Sequence, residues 1–444
     1  MGVVLKVSKY NHTLTIDERH YLFNALQAGL HRVDDSVVEA LSRLAHGDAD
    51  WGALTSQDNQ HTLEACGYIV PDECDEDSTI YRQREAEQRQ TKTLSLTIAP
   101  TLDCNFGCPY CFEGVNKPKL HMSPATMDAL IKFVRRACKD DTTRIHVTWF
   151  GGEPLLAIPE IELITRKLEE AVLVERQITF GATVITNGYG LTRKVAERLL
   201  RLGIVRVQVT LDGTAAYHDK RRFLKVNSAP TFDRILENIL DTCDLLNVSI
   251  RANLDRSNEV SFIPLVEKLR ERGLAGKVMV YPAFTRDYGD SSWDASYCDN
   301  QEFEQTRADV YEATKDFGAK VYRYPRVVRN YCGAQSDMFW VVAPSGDLHK
   351  CWNTINSPDY AVGSVHGGVN EAALAFWQNW GKSESKCSSC SLRPLCMSGC
   401  AYDAMQHSGE PQCSISQSGL EHSLHAWVAS QASSVKGPGQ SPPA

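Results

Sequence analysis

Cysteine placement constrains this chain more than any other feature. Ten of its 15 cysteines fall into two spaced sets. The first is Cys104-x3-Cys108-x2-Cys111, inside Thr101-Leu-Asp-Cys-Asn-Phe-Gly-Cys-Pro-Tyr-Cys-Phe-Glu113. The second runs Cys332, Gly346-x4-Cys351, Cys387-x2-Cys390-x5-Cys396-x3-Cys400 and Cys413. Three thiolates on one short loop can hold three irons of a cubane and leave the fourth iron open. Seven more are almost enough for two further clusters. Cys66, Cys74, Cys138, Cys243 and Cys298 lie outside both sets and read as small buried hydrophobes.

At 444 residues and 43% hydrophobic, the chain can build two or three domains with real cores. No apolar run approaches the roughly 20 residues that span a bilayer. The start, Met1-Gly-Val-Val-Leu-Lys, lacks a signal-peptide core, so we expect a cytoplasmic protein with no membrane partner. In that compartment this many cysteines suggest metal ligation, not disulfides. A net charge of −8 gives a nucleic-acid partner no electrostatic support.

Residues 1–85 read as one unit of strands, then helices, then a closing strand. Its strands are expected near 3–8, 12–16, 21–24, 30–33 and 68–70. Helices are expected at 35–44, capped by Asp35 or Ser36, and at 55–66. Residues 71–92 carry no apolar period and read as a linker. From Leu94 strands and helices alternate. Strands are expected at 94–100, 145–150, 178–186, 204–211, 247–254 and 277–284. The first helix between them, 124–138, has Ser123 as N-cap and Pro124 at its first position. Six such units predict an α/β fold with a parallel sheet, here a partial barrel, whose site lies at the C-terminal strand ends. The first cysteine loop sits at such an end. Residues 301–430 read as a domain stapled by metal, and 431–444 as a disordered tail.

The Cys104/Cys108/Cys111 loop, with an aromatic before its last cysteine, resembles the radical S-adenosylmethionine (SAM) superfamily. Further motifs follow successive strands: Phe150-Gly-Gly-Glu-Pro154, Thr186-Asn-Gly188, Leu211-Asp-Gly213 with His218-Asp-Lys-Arg-Arg222, and Arg251-Ala-Asn-Leu-Asp255. A partial zinc site is the competing reading of three nearby cysteines, and the ordered motifs weigh against it. The resemblance implies a 4Fe-4S cluster whose open iron binds SAM. It implies a 5′-deoxyadenosyl radical that abstracts hydrogen. By it, Gly152 and Glu153 hold the SAM amino group, the Tyr110 backbone meets the adenine, and Thr186, Asn187, Arg222 and Asn253 contact carboxylate and ribose. For Asp212 and His218, turn and cap hydrogen bonding is an equal alternative.

The second cysteine set resembles the SPASM domain, which holds two auxiliary 4Fe-4S clusters. By resemblance Cys387, Cys390, Cys396 and Cys413 bind the outer cluster, and Cys332, Cys351 and Cys400 the inner one. Sulfatase-maturing relatives carry an eighth cysteine just before the first of the set. Here 321–331 has none, so the inner cluster has three obvious ligands, with Cys298 a distant candidate for a fourth.

Residues 1–85 resemble the winged-helix module with which ribosomal-peptide maturases bind leader peptides. The match rests on Ser8-Lys-Tyr-Asn11, Leu22-Phe-Asn24, Leu30-His-Arg-Val33 and the spacing of Val37, Leu41 and Leu44. A structural cap on the barrel is the alternative. Asp287, Asp290 and Tyr288, after the sixth strand, are candidates for proton or electron relay, or simply a solvated loop. The expected organisation is thus a leader-recognition domain at 1–85, a partial (β/α)6 radical SAM barrel at 93–300 and a SPASM domain at 301–430. The implied activity is hydrogen abstraction on a ribosomally made precursor peptide, forming a thioether or C–C crosslink, with a flavodoxin- or ferredoxin-type electron donor. The competing activity is that of a formylglycine-forming sulfatase maturase.

Overall fold

The computed structural model describes residues 4–48, 51–114, 118–285, 310, 313–317, 324–382 and 385–434. The chain divides into two compact units. One comprises Met1–Arg89, Tyr322–Tyr331 and Trp380–Ala444; the other comprises Gln90–Val321 and Cys332–Asn379.

In the first unit, β1 (Leu5–Val7) pairs antiparallel with β5 (Ile69–Pro71). A separate antiparallel meander joins β2 (Asn11–Ile16), β3 (Arg19–Asn24) and β4 (Gly29–Val33), in that order. The two-residue turn between β2 and β3 puts Asp17 and Glu18 at φ 48° and 59°, the left-handed pair a tight hairpin needs. Helix Asp35–Ala45 buries Val37, Ala40 and Leu41 against Leu22, Leu63, Tyr68 and Ile69. Its N-cap is Asp34, one residue earlier than expected.

The stretch expected to be a linker is a helix, Glu76–Gln90. Its sequence shows no apolar stripe because it is held largely by polar pairs. Arg84 is wholly buried and donates to Trp380 O at 2.8 Å. Tyr81 donates to Lys382 O at 2.7 Å, and Glu76 accepts from Ser8 at 2.5 Å. These partners are distant in sequence, so no local pattern announces them. Ile80 joins a core with Tyr10, Phe23, Leu392, Leu395, Met397, Leu420 and Leu424. Residues 1–85 therefore share one core with the C-terminal cysteine segment, where a self-standing domain was expected. Residues 431–434, expected in the disordered tail, continue the helix Gln417–Ser434.

The second unit is built on parallel strands: β6 (Thr93–Thr101), β7 (Arg144–Gly151), β8 (Thr179–Thr186), β9 (Ile204–Thr210), β10 (Asn247–Leu254) and β11 (Met279–Phe284), each beside the next. Helices connect them, so the six β/α units expected for the barrel are present. Alternating burial fits a sheet with one face under helices: Leu94, Leu96 and Ile98 of β6 are inaccessible or nearly so. Ser123 caps helix Pro124–Ala137 by accepting from Thr126 N at 3.1 Å, with Pro124 at the first turn as expected.

β12 (Phe339–Val342) lies parallel on the outer side of β6, and β13 (Asp347–His349), β14 (Gly363–Ser364) and β15 (Gly368–Val369) continue antiparallel. The edge of β6 is thereby covered. Residues 332–379, assigned from sequence to a separate domain, extend the barrel sheet instead. Val341 and Val342 are fully buried by this pairing.

Candidate active site

The cysteine loop leaves β6 beneath a cavity of about 300 Å³. Cys104, Cys108 and Cys111 all line it. The loop is fixed by backbone bonds: Gly107 N donates to Phe223 O at 3.0 Å, Cys104 N is capped by Asp103 Oδ1 at 3.0 Å, and Glu153 N donates to Asp103 O at 2.8 Å. Gly151 and Gly152 let the end of β7 press against this loop. A Cβ on Gly152 would stand 2.2 Å from Asp103 O and 2.3 Å from Leu102 O. One on Gly151 would stand 2.3 Å from Thr101 O, at φ 108°. Gly152→Ala should therefore push the loop aside and lower SAM turnover by roughly 100-fold, the usual cost of a misplacement near 1 Å. Gly190→Ala, whose Cβ meets only Leu155 at 3.9 Å, should leave turnover unchanged in the same assay.

Glu153 does not line the cavity. It is buried, and its Oε1 accepts from Thr186 Oγ1 at 2.6 Å and Leu155 N at 3.0 Å. Its Oε2 accepts from Asn187 N at 2.7 Å. Burial raises its pKa, and these three donors oppose the rise. The carboxylate thus ties the ends of β7 and β8 together. Thr186, Asn187, Arg222, Asn253 and Tyr110 line the cavity, as expected of SAM contacts. Asn187 also donates to Asn105 on the cysteine loop at 2.8 Å.

Behind Tyr110 lies a buried polar network. Its hydroxyl bonds Asp212 and accepts from Arg222 Nη1 at 2.8 Å; burial keeps it far above the usual phenol pKa. Arg221 lies over the Tyr110 ring, 4.6 Å from its centroid, and is 2.7 Å from Asp255 and 3.8 Å from Asp212. Asp212 Oδ1 accepts from Asn253 N at 2.9 Å. His218 Nδ1 accepts from Asp212 N at 3.1 Å, leaving Nε2 to face Thr231 Oγ1. Burial, then the Arg222 and Arg221 charges, depress its pKa well below 6.5, so it is neutral. Asp212 and His218 are scaffolding, the turn-and-cap alternative.

Sequence reasoning missed four lining groups: Gln208 and Thr210 of β9, Arg251 of β10, and Trp352 beside Cys351. Their signal was the two-residue period, since Gln208/Thr210 and Arg251/Asn253 are alternate strand positions that share a face. Trp352 packs on Phe150 (centroids 5.0 Å apart), which stacks on Phe112 next to Cys111 (6.2 Å). Asp287, Tyr288, Asp290 and Cys298 lie outside the described residues.

Among the described residues no three His, Cys, Asp or Glu side chains close around a single metal ion. A cubane gives each thiolate its own iron, so its ligands need only face a common space. Cys104, Cys108 and Cys111 do so, and fit a cluster better than zinc. In the first unit, Cys387 and Cys390 lie close enough to Cys396 to add to the rise that burial causes in its thiol pKa. Met397, Ser398 and Gly399, between Cys396 and Cys400, are all left-handed, at φ 49°, 67° and 73°. Such strain persists only where the surroundings over-determine it. A Cβ on Gly399 would stand 2.4 Å from Gln412 O, so this loop abuts the segment that leads into Cys413. Of the expected inner-cluster ligands, Cys332 and Cys351 belong to the second unit and Cys400 to the first.

No helix among the described residues is long and apolar enough to cross a membrane. The radical SAM superfamily model matches residues 98–278. A GTP 3′,8-cyclase of Photorhabdus laumondii is 28% identical over 192 residues, 40% of this chain and 56% of that protein. The radical SAM cyclopropyl synthase TigE of Paramaledivibacter caminithermalis is 21% identical over 290 residues, 55% of this chain and 60% of that one. The chain thus spans between half and two thirds of these relatives. The solved structure of anSMEcpe with AdoMet and a peptide aligns at a TM-score of 0.58 and 15% identity, covering 78% of this chain and all of that one. SuiB of Streptococcus suis, bound to S-adenosylmethionine, aligns at 0.55 and 16%, covering 93% of this chain and all of its own. Domain match, sheet order and cysteine loop agree: this chain belongs to the radical SAM superfamily through the domain at residues 98–278.

Proposed function

We propose that this protein is a radical SAM maturase that modifies a ribosomally made precursor peptide, forming a thioether or C–C crosslink. One observation carries the reading: three loop cysteines share a cavity with strand-end motifs suited to SAM. When bound, the cluster and SAM supply reductive cleavage and a hydrogen-abstracting radical. The chain's own residues do the rest. Gly151 and Gly152 clear space at the strand end, Glu153 fixes β7 to β8, and Arg222 and Asn253 present polar groups to a carboxylate or ribose. Phe112, Phe150 and Trp352 form an apolar wall that limits water. The seven C-terminal cysteines would hold two auxiliary clusters, which accept the substrate's electron. A flavodoxin- or ferredoxin-type protein would supply the first electron.

A peptide substrate is supported by the neighbours: SuiB has been solved with its precursor peptide SuiA, and anSMEcpe with the peptide Cp18Cys. The SuiB match covers so much of this chain that most of residues 1–89 must lie within it. Here β4 is an edge strand, and it can accept a leader as an added strand. Hydrogen exchange should then slow at alternate amides of Gly29–Val33 when leader is added. Unchanged exchange there under saturating peptide would count against the leader role. For the activity itself, the substrate to try is a short peptide encoded beside this gene. Turnover should lower its mass by about two units per crosslink, the loss of two hydrogens. Oxidation of a side chain to an aldehyde without a linkage would favour the formylglycine-type alternative.

A further inference from the structure

Cys332 opens the turn Gly333–Gln335, and Cys351 follows β13 after a single residue, Lys350. Lys350 is wholly buried. Its Nζ donates to Ser336 O at 2.6 Å and to Phe339 O, both just beyond the Cys332 turn. The same nitrogen stands 4.5 Å from the centroid of the Trp340 ring and 5.9 Å from that of Phe339. One side chain therefore bonds the segment of the first cysteine to that of the second.

Two carbonyls and an aromatic face satisfy the donors of an ammonium, but they do not neutralise it. A buried charge is costly without an opposite one. Among the described residues, Asp337 and Cys332 are the anionic groups whose field reaches Lys350. Asp337 is exposed and accepts from Gln378 at 2.8 Å, so it is hydrated and shared. A cluster held by thiolates carries net negative charge, and it is the partner this lysine lacks.

We propose that Lys350 is a positioning residue for the auxiliary cluster held by Cys332 and Cys351, tying their segments together and raising that cluster's reduction potential through its charge. The inference rests on the auxiliary-cluster reading given under the proposed function. Reduction adds negative charge to a cluster, so a nearby cation favours the reduced form.

The test is an EPR-monitored redox titration of full-length, reconstituted protein, with iron counted in parallel. In a Cys104→Ala background the auxiliary signals should remain. Their absence would bring down the auxiliary-cluster reading, and this inference with it. Given those signals, Lys350→Gln should move one auxiliary midpoint to lower potential, leave the other in place, and be largely reversed by Lys350→Arg. An unmoved midpoint at full iron content would overturn the role of Lys350 alone. Should Lys350→Gln lose one cluster's iron, Lys350→Arg must retain it; loss from both would make the residue a packing element and overturn the proposal.

Discussion

Cys104→Ala should abolish reductive SAM cleavage while sparing the auxiliary iron. Cys104 is one of three thiols on the cavity floor, and two remaining ligands do not hold a cubane with one open iron. If three clusters are present, bound iron should fall by about a third. Assays would pair deoxyadenosine release with iron counting and visible absorbance. Cys138→Ala is the control, because Cys138 is a buried residue at the end of helix Pro124–Ala137, outside both cysteine sets. It should keep full cleavage. Undiminished cleavage by Cys104→Ala would show that this loop is not the radical-generating site.

Arg221→Met should cause the largest loss of stability. Arg221 is 2% exposed between two wholly buried carboxylates, Asp212 and Asp255. Breaking a buried pair from one side leaves an uncompensated charge and costs about 3–5 kcal/mol. For a unit of this size that is a melting-temperature drop of roughly 10 °C. The pH dependence has a definite sign. Burial opposes ionisation of Asp255, but bonds from Ser257 and the Arg221 charge outweigh it and hold its pKa below the usual value. A carboxyl with a depressed folded-state pKa contributes stability above its unfolded pKa, and that contribution is lost as pH falls through the folded one. The gap between wild type and variant should be full at pH 7 and shrink below about pH 4. Melting curves across that range would test this, and a gap that stays constant would sink the charge argument.

Most of the barrel was legible because its signals are local. Strands expected at 94–100, 145–150 and 247–254 appear as Thr93–Thr101, Arg144–Gly151 and Asn247–Leu254. Each is a run of β-branched residues closed by Gly, Asn or Asp, and Ser123-Pro124 marks a helix start by chemistry confined to one turn. What was missed depends on partners far along the chain. Helix Glu76–Gln90 looks like a charged linker until Arg84 meets Trp380 O. Strand Phe339–Val342 becomes part of the barrel sheet only by pairing with Ser95–Ile98. For the site, the cysteine loop and the cavity-lining roles of Gly152, Asn187 and Arg222 were readable from motifs. The inward role of Glu153 was not, since a Gly-Gly-Glu-Pro motif does not reveal that Thr186 and Asn187 occupy both carboxylate oxygens.

The most direct measurement is the fate of SAM itself. Anaerobically reconstituted protein, reduced with dithionite and given SAM, should yield 5′-deoxyadenosine and methionine, with yield that depends on both reductant and iron. Fully iron-loaded protein that leaves SAM intact, or converts it to S-adenosylhomocysteine instead, would contradict the radical mechanism assigned to the cavity of Cys104, Cys108 and Cys111.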